Sequence, residues 1–265
     1  MEYPSHQYIG ITIDAEPYRW PHDASFSPAT SAFVIIDMQR DCKHYLICPV
    51  KAFLTSTVPT TSTVCSPGGY LHYQGYDISR TRAIIPGLQR LLSSFRHAGF
   101  AIYHTREGHR ADVSSLPARE LFRSRNNPSG LGIGDSGPLG RLLIRGEEGH
   151  DTIPELYPLP GEPVIDKPGK GAFTYTDFEL LLRLRGIGNL IIAGVTTDVC
   201  VSTTVREAND RGFECMVVSD GCAASEESLH RAAVEMCRTE GGIFGCTGTV
   251  EDVCKAIDSL SPQAQ

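Results

Sequence analysis

Three residues of complementary chemistry each follow an apolar run of the chain. Asp37 comes directly after FVII. Lys167 lies in EPVIDKPGKGAF, just past the short run Val164–Ile165. Cys200 lies five residues after LIIAGV, within TTDVCVSTTVREAND. A thiol is a weak nucleophile until ionised, its free pKa being about 8.5. A helix N-terminus and a nearby ammonium both favour the thiolate. A carboxylate can take the thiol proton and return it to a leaving amine. Backbone amides of GVTTDVC at a helix start are suited to an oxyanion. Together the three would run acyl transfer on a C–N bond. Singly they mean little: such an Asp is often a cap or turn residue, a lysine is most often a solvated charge, and a cysteine is most often a small buried hydrophobe.

The elements around them decide whether they can meet. Phe33–Ile36, Ala101–His104 and Leu190–Val195 read as buried strands, with Val164–Ile165 and Glu214–Ser219 as shorter ones. Helical periodicity runs over Ile84–Ala98, Asp177–Arg185, Cys200–Arg211 and Leu229–Glu240, each closing near Gly99, Gly186, Gly212 or Gly241 as helix C-caps do. Continuous apolar strands alternating with helices imply a mainly parallel sheet covered on both faces, a three-layer α/β/α fold. Ligand sites in such sheets lie at the carboxyl ends of the strands. Asp37, Lys167 and Cys200 would then share one rim.

Composition narrows the classes of function. Net charge is −7 with no basic block, which argues against nucleic acid and against a polybasic membrane contact. No run reaches the roughly 18 apolar residues of a membrane helix. The start MEYPSHQYIGITIDAEPYRW lacks the pattern of a secretory signal. Nine cysteines with no CxxC pair suggest a reducing, cytoplasmic setting rather than a disulfide framework. Cys215 and Cys222 read as core. With no repeat and no linker, residues 1–265 read as one domain with an N-terminal arm over 1–25.

VIIDMQ, DKPGKGAF and GVTTDVCVSTTVREANDRG resemble the cysteine hydrolases of the isochorismatase-like superfamily. The resemblance runs from about Ile11 to Gly248. DAEPYRWP, SPGGYLHYQGYDIS, HTREGHRAD and GLGIGDSGPLGRLLIRGEEGHDTIPELYP are most similar to its biuret hydrolase branch, which are ureide amidohydrolases. The resemblance implies Cys200 as nucleophile, Asp37 as general base and acid, and Lys167 as the group that positions Asp37 and stabilises thiolate. It implies a cis peptide between Val195 and Thr196, with the amides of Thr196 or Thr197 and of Cys200 facing the oxyanion. It places Arg106, His109 and Glu240 at the substrate. The implied reaction is hydrolysis of biuret or a related ureide through a thioester, with release of ammonia. It needs no cofactor and no metal, since His44 and His72 do not reproduce the ligand spacing of the metal-binding nicotinamidase branch. A homo-oligomer, commonly a tetramer, is implied as well. A ureidoacrylate-type or other small-amide hydrolase is the neighbouring alternative.

Two departures stand out. Glu240, in CRTEGGIFG, occupies the place where biuret hydrolases carry Gln. An amide donates and accepts, whereas a carboxylate only accepts, so a changed substrate is one consequence. The other departure is an insert over residues 42–64, between DMQRD and CSPGGY, where the resemblance implies a single aromatic. It has neither helical nor strand period, which is a poor fit to a compact domain. A retained and translated intron explains it. Cys42-Lys43-His44 can be encoded with GTAAGC, Phe53–Thr55 with CTGAC, and Thr63-Val64 with a closing AG. Excision keeps the frame and leaves a Phe codon, giving DMQRDFCSPGGYL. A true lid loop is the rival explanation, and an insert beside the base leads us to expect weak activity.

Overall fold

A computed structural model describes residues 10–40 and 70–260. The insert 42–64 lies outside the described residues, as do His44 and the first part of the N-terminal arm. In chain order the elements are β1 (Ser31–Ile36), α1 (Tyr70–Tyr73), α2 (Ser79–Ala83), α3 (Ile85–His97), β2 (Ala101–Glu107), α4 (Ala118–Ser124), a small hairpin of β3 (Ser136–Gly137) and β4 (Gly140–Arg141), β5 (Val164–Lys167), α5 (Phe178–Leu184), β6 (Asn189–Val195), α6 (Ser202–Asp210), β7 (Glu214–Ala223), α7 (Glu227–Gly242), β8 (Cys246–Gly248) and α8 (Val250–Leu260).

Six strands form the central sheet in the order β5-β2-β1-β6-β7-β8, and every neighbouring pair is parallel. Every residue of β1 and of β6 is buried. A strand covered on both faces has no polar side, which is why these two read as unbroken apolar runs. Edge strand β5 instead alternates between half-buried and buried positions. Helices cover both faces of the sheet, giving the three-layer α/β/α architecture. On α3, Leu88, Leu91, Leu92 and Phe95 are buried at helical spacing, each contributing about 1.5–3 kcal/mol by leaving water. Phe95 stacks on Phe33 of β1 with ring centroids 4.7 Å apart.

Several boundaries differ from the sequence reading. The expected C-cap glycines Gly99, Gly186, Gly212 and Gly241 all take positive φ. Strand β8 and helix α8 were not foreseen, nor was α4. β8 is three residues long and contains a glycine, too little for an alternation to show. The described part of the N-terminal arm is no loose extension. Ile13 and Trp20 are fully buried, Glu16 bridges Thr247 beside β8, and Phe26 stacks on Phe100 at 5.1 Å. These apolar side chains close one side of the core, so the segment packs as part of the domain. Among the described residues no helix is long and apolar enough to cross a membrane.

The strand ends bring the site together. At Gly194 of β6, φ is +118° and an added Cβ would lie 2.2 Å from the Ile36 carbonyl. Only glycine lets β6 approach β1 that closely, one residue before Asp37.

Candidate active site

Asp37 leaves β1 in the left-handed region, at φ +50°. A non-glycine residue there is strained and persists where its surroundings hold it. Its amide donates to the Thr105 carbonyl and to Thr105 Oγ1, both at 3.2 Å. The Thr105 hydroxyl in turn donates to Asp37 Oδ1 at 2.7 Å. The other carboxylate oxygen meets Lys167 Nζ at 2.7 Å. Lys167 ends β5, is fully buried, and also donates to the Gly169 carbonyl at 3.0 Å. Its ammonium lies 3.8 Å from Glu107 Oε2, at the end of β2. The Cys200 thiol donates to that same Glu107 oxygen at 3.6 Å. Atoms of Asp37, Glu107 and Cys200 all lie within 4.8 Å of one another. Those three ligand types could in principle hold a cation, but the Lys167 ammonium already supplies the positive charge among them.

Cys200 does not begin an α-helix. It lies in a widened turn over Thr197–Val201, where the Thr196 carbonyl accepts the Val199 and Val201 amides at 3.1 Å each. A turn of this π type is uncommon and frequent at functional sites. The regular helix α6 starts only at Ser202. The Val195–Thr196 peptide is cis. Val195, Thr196 and Cys200 face a cavity of about 500 Å³. Thr197 turns the other way, its hydroxyl 2.9 Å from His230 Nδ1 on α7.

Charge balance sets the resting state. Burial pushes the Cys200 thiol well above its ordinary value; Lys167 pulls it down, while Asp37 and Glu107 push it up again. The resting group is therefore a thiol, not the thiolate that helix position and lysine alone suggest. Burial raises Glu107, but Lys167 and Lys170 more than offset this and hold it below the usual carboxylate range. Burial would lower Lys167, yet Asp37, Cys200 and Glu107 raise it above the ordinary lysine range. Lys170 is raised as well, against its own burial, chiefly by Glu107, to which its Nζ donates at 2.5 Å. Two carboxylates thus face two ammonium groups, and a neutral thiol completes a balanced set. Moving the thiol proton to a carboxylate keeps that balance while it creates the nucleophile.

The sequence matches the isochorismatase domain family over residues 31–249. The chain belongs to the isochorismatase family. Its fold is similar to that of a cysteine hydrolase from Pseudomonas syringae pv. phaseolicola 1448A, with 22% identity, 98% of this chain and 100% of that one covered, and a TM-score of 0.70. It is also similar to an isochorismatase-like hydrolase from Alkaliphilus metalliredigens (24% identity, 86% and 98% covered, TM-score 0.56). A further similar structure is N-carbamoylsarcosine amidase from Thermoplasma acidophilum (17% identity, 84% and 97% covered, TM-score 0.56).

In this isochorismatase-family chain the residues singled out from sequence fall into two groups. Asp37, Lys167 and Cys200 converge. Arg106, His109 and Glu240 are not among the residues lining the cavity. Arg106 precedes Glu107 on β2, and successive strand residues point to opposite faces. Its guanidinium grips Asp166 at 2.8 and 3.2 Å and Asp151 at 3.0 Å. His109 is fully buried behind the wall, with burial lowering its pKa. Glu240 sits at the kink of α7, at φ +52°. The residues of this helical segment that line the cavity, Glu226 and Leu229, are at its other end, roughly 20 Å away at 1.5 Å rise per residue.

Sequence reasoning missed Glu107, Lys170 and Gln39, all of which line the cavity. Gln39 clamps the end of β2: its side chain donates to the Glu107 carbonyl at 3.0 Å and accepts from the Glu107 amide at 2.8 Å. A signal for Glu107 was present in HTREGH, where strand alternation sets Arg106 and Glu107 on opposite faces. Nothing in the sequence said which of the two faced the site.

Proposed function

We propose that this isochorismatase-family hydrolase cleaves a C–N bond of biuret or a related ureide through a Cys200 thioester, releasing ammonia. The observation that carries the reading is that Asp37, Glu107 and Cys200 line one cavity, with the buried Lys167 ammonium against Asp37 and Glu107 behind them. Cys200 Sγ attacks the carbonyl carbon as its proton passes to Asp37. The oxyanion is met by backbone amides of the Thr196–Cys200 turn. The C–N bond breaks, Asp37 returns the proton to the leaving nitrogen, and ammonia departs. Water, deprotonated by Asp37, attacks the thioester; the C–S bond breaks and the proton returns to sulfur. Lys167 holds Asp37 in place throughout and stabilises its charge. A ureide alternates N–H donors with carbonyl acceptors. Glu107 can only accept and Lys170 can only donate, so the two adjacent groups suit neighbouring parts of such a chain.

The test is ammonia release from biuret by the purified chain beside its Cys200→Ala form. Loss of at least about a thousandfold in turnover with the fold intact is expected. Equal ammonia release by both forms refutes the cysteine mechanism. The similarity to N-carbamoylsarcosine amidase favours a second reading, in which another small carbamoyl amide or a ureidoacrylate-type compound is the substrate. A panel of these compounds separates it from the first. The homo-oligomer expected from the resemblance is part of the same proposal and is checked by sedimentation.

A further inference from the structure

Beside the catalytic cavity, and separated from it by Lys170, lies a second groove of about 550 Å³. Its lining is basic in a chain whose net charge is −7. Four cations meet there, Arg110, Arg119, Arg145 and Lys170, against the single carboxylate of Glu120. They are not equally available. Lys170 is neutralised from both sides, by Glu107 at 2.5 Å and Glu120 at 3.1 Å. Glu120 is drawn further toward Arg123. Arg145 spends two nitrogens on the carbonyls of Gly108 and Asp166, at 2.9 Å each, which anchors the head group but leaves its charge unopposed by those contacts. Among the described residues Arg110 has one loose charged neighbour, Asp112 at 3.6 Å, with both side chains largely exposed. Arg119 has no ion pair or hydrogen bond among the described residues. The groove therefore keeps more positive charge than its carboxylates cancel, and part of it is carried by a guanidinium held rigidly in place. Tyr175, at φ +62° and 90% exposed, forms part of its lining.

We infer that this groove is a binding site for a small oxyanion, a phosphate or a carboxylate, distinct from the catalytic cavity. Guanidinium groups pair with both classes through charge-assisted hydrogen bonds. The inference does not depend on the proposed substrate.

The test is calorimetric titration of the full chain with inorganic phosphate and, separately, with malonate, at low ionic strength. Saturable binding of either anion is expected, weakening as salt is raised because exposed charges are screened. Whichever of the two binds more tightly identifies the class. Arg119→Gln should weaken binding about tenfold, the effect of one charge-assisted contact. Arg119 holds no other group among the described residues, so this variant should fold normally, which circular dichroism checks. Arg90, which pairs with the exposed Glu251 away from the groove, serves as the control, and Arg90→Gln should leave anion binding unchanged. The absence of saturable binding below about 10 mM overturns the inference. So does binding that is kept in Arg119→Gln and abolished once Cys200 is alkylated, because the anion would then sit in the catalytic cavity, which Cys200 lines.

Discussion

Replacing Glu107 by Gln tests the charge balance of the site directly. The carboxylate lies 3.6 Å from the Cys200 sulfur and helps to keep it a thiol. At that distance a unit charge opposes the thiolate by about 4–5 kcal/mol at an effective dielectric of about 20. Relaxation and water in the open cavity reduce this, and if a third survives, ~1.4 kcal/mol corresponds to about a tenfold larger thiolate fraction. Lys167 and Lys170 lose a negative neighbour at the same time, and their surplus charge acts in the same direction. Alkylation of Cys200 by iodoacetamide at neutral pH should therefore speed up about tenfold in Glu107→Gln. Turnover should fall, because the charge is lost and one of the two acceptor oxygens becomes an N–H donor. Mass spectrometry of the alkylated chain assigns the reaction to Cys200. An alkylation rate unchanged or slower than that of the parent refutes the argument, since it would mean that the carboxylate places no appreciable charge on the sulfur.

Further outcomes follow from the same geometry. Lys167→Met leaves Asp37 and Glu107 facing each other without the buried ammonium, and should cost roughly 3–5 kcal/mol of stability, read as a lower urea midpoint; its Cys200 should alkylate more slowly than the parent. His150 is buried 3.5 Å from Asp166 and beside Arg106, and burial and Arg106 push it down to about 4 from 6.5. A base with a depressed folded pKa contributes stability that is full above its unfolded value and is lost as pH falls toward the folded one. The chain should thus lose up to ~3 kcal/mol between about pH 6.5 and 4 through this group, and His150→Phe should flatten that part of a pH–stability curve. Replacing residues 42–64 by a single Phe should raise ammonia release above that of the unaltered chain; equal rates would make the insert a tolerated loop.

The sequence by itself determined the sheet and the three groups at its rim. Short unbroken apolar runs at Phe33–Ile36 and Leu190–Val195 read as strands buried on both faces, and helical periodicity with closing glycines placed the helices between them. Parallel order then sends Asp37, Lys167 and Cys200 to one edge, because each follows a strand. Tertiary structure decided what sequence order cannot express. Adjacent residues of β2 face opposite ways, so Glu107 enters the site while Arg106 turns to Asp166 and Asp151. Glu240 falls at the far end of α7, a matter of helix direction rather than of motif. The N-terminal segment packs into the core because Phe26 stacks on Phe100, far along the chain, and the buried Trp20 packs against Phe26. Thiol or thiolate was likewise undecided in sequence. A lysine near a cysteine suggests ionisation, but the sum over Asp37, Glu107, Lys167, Lys170 and burial reverses it, and that sum exists only once all of them share one small volume.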